Sequence, residues 1–395
     1  MNETLLHETI AALTRSEVKL FVATTGAGAG LQEMLWRVPG CSTYFVGSAF
    51  TYAREETRRL LGFDPEKYVT KETAVDMAMA AYMRAYTAVD VGQMPMGLAM
   101  TASVATSEMH RGDHRVCMAV MTPNRCYTAT VLLPKRQGML ARVDDGVLTD
   151  CMAATLIQHA LGTVPAAFYR GTSLGFSGDI ETDGASGLRI RPIEMPAEQL
   201  ERLFFRLPVF HRDGRRTSKL VDGERILFPG AFDPVHEGHV GITHALHDQI
   251  VTGEITWTIE AKTVHKEATS VQTLLQRASR IFQNDYPVQT LLFTNGLPLF
   301  VDKARHFPGA GFVVGADTLQ RMLDPKWGPS AHDVISEFVE RDSFLYVVDR
   351  DGVTLDTIVD SLPQPDGLLL GRISLNIEGD WKISSSELRR QANAK

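Results

Sequence analysis

The sequence predicts an α/β protein of two domains joined by a connector, and three observations lead there. At 395 residues the chain is too long for one ordinary domain. In both halves, short apolar runs of the kind buried strands present alternate with stretches of helical periodicity. Between the halves lies a stretch rich in turn formers, Thr172-Ser-Leu-Gly-Phe-Ser-Gly-Asp179 and Thr182-Asp-Gly-Ala-Ser-Gly187. The apolar fraction of 44% and charged fraction of 22% are those of an ordinary globular protein. A net charge of −7 gives no basic field, so nucleic acid is excluded as an expected partner. The first residues lack the basic region and apolar run of a signal peptide, and no apolar stretch approaches the ~20 residues that span a bilayer. Cys41, Cys117, Cys126 and Cys151 show no metal-ligand spacing and read as reduced thiols. A cytoplasmic homo-oligomer acting on small molecules, away from membranes, is the expectation.

Residues 1–162 form the first domain. Residues 18–24 read as a buried strand entering the glycine-rich turn Thr25-Gly-Ala-Gly-Ala-Gly30, and 31–38 as a helix. A strand at 44–52 and an Ala- and Met-rich amphipathic helix at 73–86 follow, then strands at 97–101, 115–121 and 126–133 and a closing helix at 148–161. The turn has GxGxG spacing, not GxGxxG, which rejects a dinucleotide fingerprint. His110 and His114 sit among charged turn residues and read as a solvated loop rather than a metal pair. Residues 163–223 are expected to connect the domains, with one short helix at 197–206 and a basic run at 211–219 that reads as a solvated loop.

From residue 224 the α/β pattern resumes. The strand Arg225-Ile-Leu-Phe228 enters Pro229-Gly-Ala-Phe-Asp-Pro-Val-His-Glu-Gly-His239, and Val240-Gly-Ile-Thr-His-Ala-Leu246 starts an amphipathic helix. A strand, a glycine turn and a helix N-terminus bearing His236 and His239 make a natural polyphosphate site, because backbone N–H groups and the helix dipole both favour anions. Near the end, Lys382-Ile-Ser-Ser-Ser-Glu-Leu-Arg389 places three hydroxyls at a helix start and an arginine one turn in, a second anion-binding end.

Together, in this order and a domain's length apart, these motifs resemble the HxGH nucleotidyltransferases, whose second signature is ISSTxxR. The resemblance implies a Rossmann-like domain with a parallel sheet over 224–395. It also implies transfer of a nucleoside monophosphate from ATP or CTP to a phosphate-bearing acceptor, with release of pyrophosphate. His236, His239 and Arg389 take the catalytic roles, and Gly230, Phe232, Asp233, Gly238, Ser384, Ser385 and Ser386 bind the nucleotide. Phe312-Val-Val-Gly-Ala-Asp-Thr-Leu319 resembles the GxD element of the nicotinate and nicotinamide mononucleotide adenylyltransferases. There Gly315 lets the backbone approach adenosine and Asp317 accepts from the ribose hydroxyls. Leu323-Asp-Pro-Lys-Trp327 resembles the segment whose tryptophan stacks on the pyridine ring; a half-buried loop tryptophan is the alternative. His265-Lys266, with Arg277, resembles that family's HK…R segment, and Lys266 is either a phosphate contact or a plain surface lysine. A Tyr-Thr pair that lies near the pyridine carboxylate in nicotinate-specific members is replaced by Pro298-Leu-Phe-Val-Asp302, so acid and amide acceptors both stay open. ATP and Mg2+ are the expected co-substrates, the ion bridging phosphates without protein ligands of its own.

The first domain resembles the CinA C-terminal domain, the nicotinamide mononucleotide amidohydrolase family, through Val38-Pro-Gly-Cys-Ser-Thr-Tyr-Phe45, Phe50-Thr-Tyr52 and Arg59-Leu-Leu-Gly-Phe63. The family's ESCTGG turn reads Thr24-Thr25-Gly26-Ala27-Gly28-Ala29, and its TYSNEAK reads Thr51-Tyr-Ala-Arg-Glu-Glu-Thr57. Thr25 stands as a possible nucleophile and Tyr52 as its partner, but Thr57 replaces the lysine that would activate a hydroxyl. A degenerate domain kept for oligomerisation, ligand binding or regulation is therefore expected. Two readings compete with the pyridine acceptor: another acceptor such as phosphopantetheine, and a nucleotide-binding regulatory protein without turnover.

Overall fold

The computed structural model describes residues 3–109, 111–163, 167–170, 175–182, 187–220, 225–249, 254–262, 268–326, 328–350 and 352–379. They divide into two compact units, Met1–Arg206 with Val271–Arg280, and Leu207–Ser270 with Ile281–Lys395. The division at 206/207 falls inside the stretch read as a connector, and that stretch carries strands and a helix of its own.

In the first unit α1 (Glu3–Arg15) leads into β1 (Val18–Thr25), α2 (Ala29–Trp36), β2 (Phe45–Phe50), α3 (Arg54–Leu61) and α4 (Lys71–Tyr86). Three strands follow, β3 (Met94–Ser103), β4 (Arg115–Met121) and β5 (Cys126–Leu132), before α5 (Met139–Ala160). Short strands β6 (Tyr169–Arg170), β7 (Ser177–Gly178), β8 (Ile180–Thr182), β9 (Gly187–Ile190) and β10 (Ile193–Glu194) precede α6 (Ala197–Phe205). The main sheet runs β10-β5-β4-β3-β1-β2, with β7 also on β5, while β6, β9 and β8 form a small separate sheet. β1 pairs in parallel with β2 and β3, whereas β3, β4 and β5 form an antiparallel meander. The meander follows from connection length, since Thr122 bonds back to Arg125 in a tight hairpin that leaves no room for a crossover helix. Helix α5 begins nine residues before the expected 148, at Met139. Its first turns expose Met139, Leu140 and Val143, so they lack the inward apolar stripe by which a helix is read.

The second unit opens with β11 (Val209–His211) and β12 (Arg216–Thr217), followed by β13 (Arg225–Pro229), α7 (Glu237–Gln249) and β14 (Glu254–Glu260); after α8 (Val271–Gln283), most of which belongs to the first unit, the chain returns to it with β15 (Thr290–Thr294). Then come α9 (Phe300–His306), β16 (Gly311–Gly315), α10 (Ala316–Leu323), α11 (Ala331–Glu340), β17 (Phe344–Val348), α12 (Leu355–Ser361), α13 (Asp366–Arg372) and β18 (Ser374–Ile377). Its sheet runs β12-β11-β15-β14-β13-β16-β17-β18. From β15 to β18 every pairing is parallel, and β11 and β12 add an antiparallel edge. Counted along the chain, the six parallel strands lie in the order 3-2-1-4-5-6, the doubly wound Rossmann arrangement. The direction of winding reverses between β13 and β16, so the loops leaving those neighbouring strands part and open a crevice at their carboxyl ends.

In the first unit α4 comes close to the sheet at Gly97 of β3, where a Cβ would stand 2.3 Å from Tyr82 N and 2.4 Å from Ala78 O. This contact seats the buried face of α4 (Ala74, Ala78, Ala81, Tyr82) on the sheet. Gly97→Ala must push α4 outward and is expected to lower stability by about 1–3 kcal/mol, read as a lower urea midpoint. An unchanged midpoint would show that the helix does not depend on this approach.

Candidate functional site

The turn between β13 and α7 is held from beneath by aromatic packing. Phe232 has a φ of 48°, a left-handed conformation that a bulky residue adopts at a cost. What holds it there is its ring, buried and stacked on Trp257 of β14 at 4.3 Å with an interplanar angle of 4°. Phe228 meets the same ring edge-on at 5.6 Å. Gly230 is required by this arrangement, because a Cβ there would lie 2.8 Å from the Phe232 ring. The Phe232 side chain thus belongs to the core, and only its backbone faces the turn. Trp257 Nε1 donates to Thr243 Oγ1, which donates to His239 O, so the first turn of α7 is tied to β14. Asp233 lies half-buried in the turn and Gly238 is buried in the first turn of α7.

On this platform the rings of His236 and His239 stack at 3.7 Å. The backbone N–H of His236 donates to His239 Nδ1 at 3.3 Å, which fixes the tautomer and leaves His239 Nε2–H as the outward donor. Burial, then the neighbouring His236 and Arg350, push the His239 imidazolium down to about 3. Burial and then Arg350 also lower His236. Both rings are therefore neutral donors near pH 7. His236 Nδ1 is buried with no hydrogen-bond partner among the described residues.

Across the crevice, β16 ends at Gly315 and α10 begins. Asp317, in the first turn of α10, receives Arg321 at 2.8 Å on Oδ2, while its Oδ1 is buried with no partner among the described residues. Arg350, just beyond β17, brings its side chain within 3.8 Å of where a Gly315 Cβ would be. Its charge reaches both histidines. Sequence reasoning missed Arg350; the available signal was a basic residue directly after an apolar strand, Phe344-Leu-Tyr-Val-Val-Asp-Arg350. The carboxyl ends of β13, β16 and β17 thus bring together His236, His239, Gly315, Asp317 and Arg350. Lys266, Trp327, Ser384, Ser385, Ser386 and Arg389 lie outside the described residues. Among the described residues no group of three or more His, Cys, Asp or Glu side chains is placed to hold a metal ion, and no helix is long and apolar enough to cross a membrane.

The first unit has its own small cleft of about 200 Å³, lined by Gly26, Tyr52, Ala102, Ser103, Val104, Thr106 and Arg142. Thr25 is buried at the end of β1, next to Gly26. Tyr52 Oη accepts from Arg142 at 3.0 Å, and Arg142 also donates to Ala105 O. Thr57 is buried and spends its hydroxyl on Thr51 O at 2.9 Å. The position where a lysine would activate Thr25 is thus closed into the fold. Arg142 is a second cation that the sequence reading passed over, in the early turns of α5 that the helical pattern did not reveal.

Residues 2–143 match the family model described as the CinA C-terminal domain, so the N-terminal region carries such a domain. A CinA-like protein of Thermosynechococcus vestitus is 48% identical over 62 residues, 16% of this chain and 15% of that protein. One of Solibacter usitatus is 39% identical over 77 residues, 18% of each. The chain therefore matches less than a fifth of the length of these curated relatives. Among solved structures, the competence or damage-inducible protein of Enterobacter asburiae is similar at 19% identity, covering 40% of this chain and 96% of its own, with a TM-score of 0.32. The nicotinic acid mononucleotide adenylyltransferase of Plasmodium falciparum, complexed with NaAD, is similar at 16% identity over 42% of this chain and 83% of its own, with a TM-score of 0.30.

One buried acid shapes the glycine-rich turn of the first unit. Asp150 of α5 sits where a Gly30 Cβ would be, its Oδ2 2.2 Å from that position. Burial pushes its carboxyl up to about 7, opposed by a hydrogen bond from the Leu31 backbone at the start of α2. Its folded value is above the unfolded one, so the folded state holds a proton that the unfolded state has already released. Stability should therefore fall as pH rises from about 4 to about 7, by up to a few kcal/mol. Asp150→Asn should match wild type near pH 4 and exceed it above pH 7 in thermal melts; parallel pH curves would show that Asp150 is not the group responsible.

Proposed function

We propose that the C-terminal unit is a nucleotidyltransferase that moves AMP from ATP to a pyridine mononucleotide, nicotinate or nicotinamide mononucleotide, and releases pyrophosphate. The observation that carries this reading is the meeting of two neutral histidine donors, a helix N-terminus and Asp317 at the switch point of a doubly wound sheet. The acceptor phosphate is already an anion at neutral pH, so no general base is needed. Its oxygen attacks the α-phosphorus in line, the new P–O bond forms as the α–β bridge breaks, and the electron pair leaves on pyrophosphate. His239 Nε2–H would donate to an α-phosphate oxygen and His236 to the outer phosphates, stabilising charge as it develops. Asp317 keeps one buried oxygen unpartnered, an expensive state that a ribose hydroxyl would relieve. Magnesium would arrive on the triphosphate as part of the substrate. The pyridine acceptor rests on the sequence resemblance around Trp327, and Gly315, Ser384, Ser385, Ser386, Arg389 and Lys266 keep their expected roles within this proposal.

For the N-terminal domain we infer a domain without amidohydrolase turnover. Thr57 stands where a lysine would activate Thr25 and is committed to Thr51, and the Tyr52 hydroxyl accepts from Arg142.

Two measurements test these readings. His239→Ala should cut pyrophosphate release from ATP with either mononucleotide by about a hundredfold to a thousandfold, with the near-ultraviolet circular dichroism unchanged. Full turnover in that variant would remove His239 from the site, and ATP binding without turnover in wild type would favour the regulatory reading. Ammonia release from nicotinamide mononucleotide by the wild-type protein should stay at background; a rate abolished by Thr25→Ala would instead make the N-terminal domain an active amidohydrolase.

A further inference from the structure

We infer that Glu260 is a positioning residue that sets which acceptor the C-terminal site takes, favouring a pyridine mononucleotide with a neutral carboxamide over one with a carboxylate. That preference belongs to the transferase proposed above and rests on that reading. Glu260 is the last residue of β14, half-buried, and its carboxylate gathers the turn that leaves β15. Oε1 accepts from Gly296 N at 2.9 Å and from Lys262 N at 3.2 Å. Oε2 accepts from Thr294 Oγ1 at 2.7 Å and from Leu297 N at 3.3 Å. Gly296 has a φ of 86°, a left-handed turn that lets two N–H groups converge on one side chain. From the other side Lys303 of α9, 3% exposed, donates to Leu297 O and lies 5.6 Å from the centre of the Phe300 ring. An acid and a buried cation thus hold the N–H and the carbonyl of the same residue, Leu297.

The strand registers place this turn beside the crevice. Pro229, at the end of β13, is level with Thr258, and Glu260 is level with Thr294. Two strand spacings and two residues therefore set the turn roughly 10 Å across the sheet from β13 and roughly 7 Å beyond its end. That span is comparable to the reach of a mononucleotide from phosphate to base. With the ribose of ATP assigned to Asp317 on the β16 side, the acceptor enters from the side of β14 and β15, where this turn is the wall. A pyridine carboxylate calls for N–H donors or a cation. Here the Gly296 and Leu297 N–H groups are already spent on Glu260, which adds a negative charge of its own. The Lys303 ammonium is turned onto Leu297 O, and Glu260 and Asp302 support its charge against burial. Arg305, on the same helix, is paired with Glu337 and Asp302. Lys262 gives Glu260 its backbone N–H and is exposed. A carboxamide carries no charge for Glu260 to repel.

The ratio of kcat/KM for nicotinamide over nicotinate mononucleotide, read as pyrophosphate release by the full-length protein with ATP, tests this. Wild type should favour the amide by about tenfold or more. Glu260→Gln keeps the shape, removes the charge and should bring the ratio close to one, whereas Glu260→Asp keeps the charge and should keep the amide ahead. A general loosening of the turn lowers both rates together, so a ratio unmoved in folded Glu260→Gln overturns the proposal. A wild type that prefers the acid overturns it as well, and loss of that preference in Lys303→Met would hand the role to the buried cation. Should Glu260→Gln fail to fold, the wild-type ratio remains decisive. Calorimetric titration of the wild type and Glu260→Gln with each mononucleotide separates the preference from the reaction. Tighter binding of the amide, levelled in Glu260→Gln, supports the role of Glu260 even where no pyrophosphate is released and the proposed transfer fails. Equal binding of the two by wild type, or none of either, overturns it.

Discussion

The site of the second unit depends on one constraint, the reversal of winding between β13 and β16. A parallel sheet covered on both faces must send its crossover connections to opposite sides somewhere, and here it does so between the first and fourth strands. The two departing loops cannot cover that point, so a crevice opens there. It exposes the polar ends of α7 and α10, where unpaired N–H groups need partners. The stack of Phe232 on Trp257 then makes the turn rigid, and the two histidines inherit their places from it. Packing beneath the site thus does as much for its geometry as any polar contact within it.

The electrostatics follow from the same burial. Histidine 239, set against Phe232 and beside a second imidazole, cannot carry charge cheaply. A neutral imidazole with one nitrogen engaged by the backbone is a directed donor, not an ion. Such donors suit a transition state in which charge moves from one phosphate group to another, because they are aimed before the reaction begins. The first unit is arranged differently. Its cleft holds an arginine bound to a tyrosine, and the buried Thr57 hydroxyl donates to Thr51 O.

Much of this was legible in the sequence, because the determinants are local. A strand of apolar residues, a glycine turn at Gly230, and two histidines at a helix start are all read within fifteen residues, 225–239. The principal strands of the first unit, and β13 and β16 of the second, were likewise legible as apolar runs. Less legible were features set by distant contacts. Arg350 comes beside Gly315 only because β17 neighbours β16, and strand order is not written in any one segment. The antiparallel meander β3-β4-β5 was read as part of an alternating α/β pattern, since connection lengths rather than strand composition decide direction. The first turns of α5 expose apolar residues and so mimic no amphipathic stripe, which hid Arg142 as well. Short strands such as β6 to β10 carry too few residues for any periodicity to show.

The central proposal is about place: nucleotide phosphates would bind at the carboxyl ends of β13 and β16. Amide hydrogen–deuterium exchange of the full-length protein, with and without saturating ATP and magnesium, addresses it directly. The account predicts protection concentrated in residues 229–240 and 314–321. Protection confined to the cleft of the first unit, around residues 25–30 and 103–107, would contradict it.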